Sequence, residues 1–345
     1  MPALELGLDT FGDATETPDG TPVPHGQVVR DVVAQATLAD AVGLDFFGVG
    51  EHHREDFAVS APEVVLAAAA GVTTRIRLGS AVSVLSSDDP VRLYQRFSTL
   101  NAVSGGRAEV IVGRGSFTES FPLFGYALDD YETLFEEKLD LFARLLRGGP
   151  VTWSGTVRAP LDGQRVFPPA ETGLRCWVGV GGSPESVVRA ARHGLPLMLA
   201  IIGGDPGRFA PYVDLYERAL KQFGEVRQFV GVHSPGYVAD TDEAAREEFW
   251  PAYRVMHARI GRERGWPPMQ RAQFDGEVEN GSLYVGSPGT VARKIARTVR
   301  TLRLSRFQLK YSAGPLPHER LMRCIELFGK EVAPAVREMA RTVTA

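Results

Sequence analysis

Three short stretches hold the side chains best suited to chemistry: Glu51-His52-His53, Gly113-Arg114-Gly115-Ser116 and Gly181-Gly182-Ser183-Pro184-Glu185-Ser186. A bend is expected at Gly79-Ser80-Ala81-Val82, between the first two. Two imidazoles beside a carboxylate can donate or accept a proton near neutral pH, although the same residues also cap turns. Serine at an N-cap followed by proline opens a helix with free N–H groups and a positive dipole end. The two glycines, Gly181 and Gly182, let an anion approach the chain, and Ser186 falls in the first turn. An ordinary capped helix carries the same pattern. What points past it is Arg114, whose guanidinium offers a bidentate fork from a neighbouring strand end. Together these groups suit a phosphate-bearing cofactor.

The elements that must position these residues alternate along the whole chain. Strand patterns cover Leu4–Thr10, Asp45–Val49, Ile76–Val84, Ala108–Val112, Arg175–Val180, Pro196–Ile201, Phe229–Val238 and Arg306–Tyr311. Helical patterns lie between them: Gln27–Val42, Pro62–Val72, Val91–Val103, Tyr131–Leu146, Pro184–His193, Pro206–Phe223, Asp242–Ile260 and Val291–Leu302, with a closing helix over His318–Met339. In Tyr131–Leu146 the apolar residues recur at the spacing of one buried face. Runs such as Val110-Ile111-Val112 and Cys176-Trp177-Val178 are apolar at every position, as strands covered on both sides must be. Eight alternating units with no boundary predict one (β/α)8 TIM barrel over residues 1–345, with an open doubly wound sheet as the runner-up. Five strand ends then converge on one mouth: Asp9-Thr10-Phe11, Glu51-His52-His53, the Ala81-Val82 bend, Arg114 and the Gly181–Pro184 turn. Two segments break the alternation, about 148–172 and 261–286. Both are expected as insertions at the C-terminal, loop-bearing face of the barrel, the second as a lid.

With 345 residues, 44% of them apolar and 23% charged, the chain can bury a large core, and a net charge of −4 offers no basic surface to nucleic acid. Cys176 and Cys324 read as two buried thiols rather than a disulfide. The start of the chain lacks a basic, then apolar, leader, and no apolar run approaches the roughly 18 residues of a membrane span, so the expected location is cytoplasmic. A nicotinamide dinucleotide is disfavoured. In Gly179-Val180-Gly181-Gly182 the third fingerprint glycine is replaced by Glu185, and the acidic residue expected about 20 positions on is absent. A metal-dependent hydrolase drawing on Glu51, His52, His53 and His233 is disfavoured because strand one lacks a His-x-His pair and Arg114 would repel a dication. No metal is expected.

GEHH at the second strand end resembles the bacterial luciferase-like flavin monooxygenases. So do GSAVSVLSSDDPVRLYQRFSTLNAVSGGRAEVIVGRG across strands three and four, Phe124-Gly125, and GGSPESVVRAARHGLPLMLA across strands five and six. The likeness is densest from Gly48 to Ala200 and resumes at YVGSPGTVARKIA and IELFGKEVAPAV. The resemblance implies an oxidoreductase that uses reduced FMN and O2 to oxygenate a small organic substrate. It implies His52 as the catalytic histidine, a non-proline cis peptide at Ala81-Val82 against the flavin ring, and Arg114, Ser183 and Ser186 at the flavin phosphate. A branch of the family uses deazaflavin F420, and some relatives bind flavin without catalysis; both remain open. With no second nucleotide fingerprint, a separate flavin reductase is the expected source of electrons. The small-residue helix Pro62–Val72 is the expected seat of a homodimer. Luciferases proper carry a cysteine where this chain has Gly113, which makes light emission doubtful and predicts a roomier pocket wall there.

Overall fold

The computed structural model describes residues 4–341, so the outermost residues of the expected 1–345 unit lie outside the described residues. Eight parallel strands close into a barrel: β1 (Glu5–Thr10), β2 (Phe46–Val49), β3 (Arg77–Ser80), β4 (Ala108–Gly113), β5 (Arg175–Val180), β6 (Leu197–Ala200), β7 (Val230–Val238) and β8 (Arg306–Lys310). Each pairs with the next, and β8 pairs with both β7 and β1, so no edge is left open. Around them lie α1 (His25–Ala41), α2 (Pro62–Ala70), α3 (Pro90–Val103), α4 (Tyr131–Leu146), α5 (Pro184–Arg192) and α6 (Ala210–Phe223). Two further helices, α7 (Asp242–Arg264) and α8 (Arg271–Glu279), precede α9 (Pro288–Leu302). After β8 come α10 (His318–Leu327) and α11 (Ala333–Arg341). This is the predicted (β/α)8 barrel, and the open-sheet alternative falls with the closure. No helix among the described residues is long and apolar enough to cross a membrane.

The strands are apolar on both faces because each face packs against something. Val110, Val112, Cys176 and Val178 join the large layer beneath the helices, while Phe46, Ile111, Trp177 and Met198 form a separate cluster inside the barrel. Below that cluster lies a charged floor. Arg306 is fully buried and donates to Glu109 at 2.8 and 3.1 Å and to Glu5 at 2.7 Å, while its guanidinium lies 4.5 Å from the ring centres of both Phe46 and Trp177. Trp177 Nε1 also donates to Glu109, at 3.0 Å.

Both insertions differ from expectation. Segment 148–172 joins the end of α4 to the start of β5, so it is rooted at the rim opposite the mouth rather than on the C-terminal face. An α-to-β connection has no other place to start. It climbs the outside of α3 and α4 as a small hairpin of Val151–Trp153 with Leu161–Gln164. Trp153 Nε1 bonds Asp140, Glu137 takes the Thr156 and Val157 N–H groups, and Arg158 reaches Asp89 at 3.0 Å. Segment 261–286 is not a loop: it contains α8 and a short strand, Tyr284–Gly286, that pairs with the end of β7. In α8 only Phe274 and Val278 are buried, Phe274 against Trp250 and Tyr253 of α7, and so sparse an apolar face left no readable period. Free Cys176 and Cys324 are both buried, as expected of thiols.

Removing one partner of a buried pair strands the other charge. Glu109→Leu is therefore expected to destabilise the barrel by about 3–5 kcal/mol in urea denaturation. Asp140→Ala, which breaks an exposed pair with Arg144 but also removes the Trp153 contact, should cost no more than about 1–2 kcal/mol.

Candidate functional site

Strand β3 ends where its neighbours come closest. The Ala81-Val82 peptide is cis, as the family resemblance implied; the ladder breaks there and resumes at Ser83–Val84 beside Val112 and Gly113. The flanking positions have no room for side chains. A Cβ on Gly50 would lie 2.8 Å from the Ala81 carbonyl oxygen and collide with the Phe11 ring; one on Gly113 would lie 2.8 Å from Val82, and one on Gly179 3.1 Å from Val82. The wall expected to be roomier at Gly113 is thus filled by the Val82 side chain. The bend also positions the histidine segment: Glu51 N–H donates to the Val82 carbonyl at 3.0 Å, and the Glu51 carboxylate accepts from Val84 N–H at 2.8 Å.

His52 and His53 have different surroundings. His53 Nε2 is 2.9 Å from Glu51, with its ring against the edge of Phe124. His52 sits among rings instead, 4.4 Å from Phe57, 4.6 Å from Phe11 and 5.1 Å from Phe117 between centres. Burial, with the Lys310 cation next in weight, pushes its pKa down to about 3. Its ring nitrogens have no hydrogen-bond partner among the described residues, yet they are not sealed from solvent. His52 is a neutral imidazole open to the mouth. Of the aromatics after β4, Phe117 and Phe124 reach the histidines, whereas Phe121 stacks on Tyr131 and Tyr126 lies under Lys138.

At the ends of β4 and β5 the structure gathers the expected anion groups. Ser183 caps α5, its Oγ accepting from Ser186 N–H at 3.3 Å and lying 3.3 Å from Ser186 Oγ. Gly182 has φ +112°, a left-handed value that favours glycine, and a Cβ on Gly181 would meet open space. Arg114 pairs with Glu132 and lies over the Tyr131 ring, whose hydroxyl fixes the Gly115 carbonyl. The same Glu132 takes a 3.1 Å bond from Arg189, which is buried, pairs with Glu136 and donates to Ser186 Oγ at 3.2 Å. Arg189 was missing from the sequence reading. Its signal was available, since it follows Ser186 by three positions and so shares its helix face.

Two more features escaped the sequence. His233, considered only as a metal ligand, holds its Nδ1 2.9 Å from Asp9 on β1. The cover of the mouth is α7 itself: Glu263 bonds Arg54 at 2.6 Å, and Arg264 donates to the Ser116 carbonyl and stacks on Phe117.

The depressed His52 pKa carries a stability consequence. The unfolded chain binds a proton at His52 near its ordinary value of 6.5 and the folded chain does not until about 3, so this residue subtracts stability as pH falls through that window. Thermal melts of His52→Gln should therefore lose less stability between pH 6.5 and 4 than the unaltered chain does.

The comparisons with known proteins agree with this geometry. A family model described as luciferase-like monooxygenase matches residues 10–305. A 4-hydroxyprotoasukamycin monooxygenase of Streptomyces nodosus subsp. asukaensis is 34% identical over 334 residues, covering 90% of this chain and 87% of that protein. Among solved structures, monooxygenase RslO1 of Streptomyces bottropensis superposes with a TM-score of 0.82 at 24% identity, over 96% of this chain and 99% of that one. The oxygenating constituent of 3,6-diketocamphane monooxygenase from Pseudomonas putida, in complex with FMN, gives 0.75 at 20%, over 96% and 98%. A coenzyme F420-dependent tetrahydromethanopterin reductase of Methanopyrus kandleri gives 0.69 at 19%, over 96% and 99%. These likenesses in structure carry the fold, and the family match carries the assignment: this chain belongs to the luciferase-like monooxygenase family.

Proposed function

We propose that the protein is a flavin-dependent monooxygenase that uses reduced FMN and O2 to oxygenate a small organic substrate, residues 1–345 acting as one catalytic unit. The observation that carries this reading is the convergence of two guanidinium groups, Arg114 and Arg189, two serine hydroxyls and the N-terminus of α5 on one place at the rim. That donor set suits a phosphate monoester. Next to it, Val82 lies between Gly113 and Gly179 and makes a wall without projecting polar groups, against which a flat ring fits. The residues present therefore fit a flavin mononucleotide.

When bound, reduced flavin supplies the electrons that activate O2. The chain's own groups do the rest. Arg114, Arg189, Ser183 and Ser186 hold the phosphate, with Gly181 and Gly182 leaving space for it, and Ala81-Val82 backs the ring. His52, neutral across the physiological range, offers a hydrogen bond without bringing a charge into the mouth. Helix α7, latched by Glu263 to Arg54, keeps bulk water from the reacting centre. F420 carries a phosphate too, and the same rim would receive it. The choice of FMN rests on the monooxygenase relative and the FMN-bound neighbour. Electrons are expected from a separate reductase, and rapid NADH oxidation by the purified chain alone would refute that. Pairing as a homodimer through α2 is supported by Val64 and Val72, left 65% and 54% exposed at that helix and its end.

Quenching of flavin fluorescence gives the test. FMN is expected to bind the purified chain, and Arg114→Ala to weaken it about ten- to hundredfold while the melting profile stays cooperative, as loss of a charge-assisted hydrogen bond requires. Preference for F420 over FMN would overturn the cofactor assignment, and binding of neither would overturn the reading.

A further inference from the structure

We infer that His233, oriented by Asp9, is a base that ionises a hydroxyl group of the substrate, and hence that this barrel acts on an enol or a phenol. The inference rests on the monooxygenase reading but uses groups which that reading leaves idle. Asp9 is fully buried at the end of β1; its Oδ2 is 2.9 Å from His233 Nδ1, and its Oδ1 has no hydrogen-bond partner among the described residues. A carboxylate placed there takes the Nδ1 hydrogen and so fixes the tautomer and the orientation of the imidazole. The other nitrogen, Nε2, has no partner among the described residues, yet it is not sealed, and the side chain is 14% exposed.

The contrast with His52 sharpens the assignment. Both imidazoles flank Phe11, His233 stacked on it at 6.0 Å and His52 tilted at 4.6 Å. Among the described residues His52 has no carboxylate bonded to it; His233 has one. The other groups facing this corner are Lys310 on β8, which is held by Asp13 at 2.7 Å and lies 4.6 Å from the Phe11 ring, and Ala200 in register on β6. Arg264 lies above, between Phe117 and Trp266. Aromatic walls from Phe11, Phe57 and Phe117 suit a planar substrate.

The step is a proton transfer alone. The substrate O–H bond breaks, its electron pair stays on oxygen, and the proton forms a bond to Nε2; the imidazolium so formed remains paired with the Asp9 carboxylate. The oxyanion raises electron density at the carbon that is to receive oxygen.

The test needs no flavin, so its failure is separable from failure of FMN binding. The full chain is mixed with 4-nitrophenol at a pH below that phenol's own pKa, and the phenolate absorption band is followed; 4-nitroanisole, which has no hydroxyl, reports whether the pocket is intact. The unaltered chain should shift the bound phenol towards phenolate. His233→Gln and, independently, Asp9→Asn should reduce that ionisation about tenfold, the worth of one hydrogen bond to a charged group, with 4-nitroanisole affinity unchanged. The proposal is overturned if 4-nitrophenol is not taken up or stays neutral in the unaltered chain, or if His233→Gln ionises it equally well.

Discussion

The closeness of β3 to its two neighbours at the mouth governs the site. Three glycines, Gly50, Gly113 and Gly179, face the Ala81-Val82 segment at distances that exclude a Cβ or demand a shift. Because Gly50 lies against Ala81, the next residue can bond the Val82 carbonyl, and that bond sets the direction in which His52 leaves the strand. Because Gly113 lies against Val82, β4 continues for one more pairing before Arg114 turns to the rim. His52, Val82 and Arg114 are thus placed by one packing relation rather than by three local ones.

The two ends of the barrel solve opposite problems. At the floor a buried guanidinium is surrounded by Glu5, Glu109 and two aromatic faces, so charge is compensated entirely within the protein. At the mouth the interior residues shrink to glycine and alanine, and the polar groups left there, His52 and His233 above all, keep nitrogens without partners among the described residues. The floor holds the cylinder together, and the mouth leaves its bonding capacity for something else.

What the sequence made legible was local. The eight strands were readable because burial on both faces gives continuous apolar runs, and the α5 site because a cap, a proline and two glycines are contiguous. Partners far apart in the chain were not readable. Asp9 and His233 are 224 positions apart, Glu109 and Arg306 197, and Arg54 and Glu263 209. Nothing in residue type or spacing announces such pairs; only closure of the barrel brings them together. Segment 148–172 was misplaced for a different reason: its composition marks it as irregular, but its rim follows from which kind of element it joins, and that depends on strand polarity.

Glu132 gives the rim an unusual property. Its carboxylate touches both Arg114 and Arg189, so two cations that would otherwise repel one another are already reconciled by a side chain that is itself largely exposed. Under the proposed function, an arriving dianion exchanges one negative partner for another. Entry then demands little reorganisation, and departure leaves no bare pair of charges behind. Such a rim, in that role, favours turnover of its guest over permanent retention.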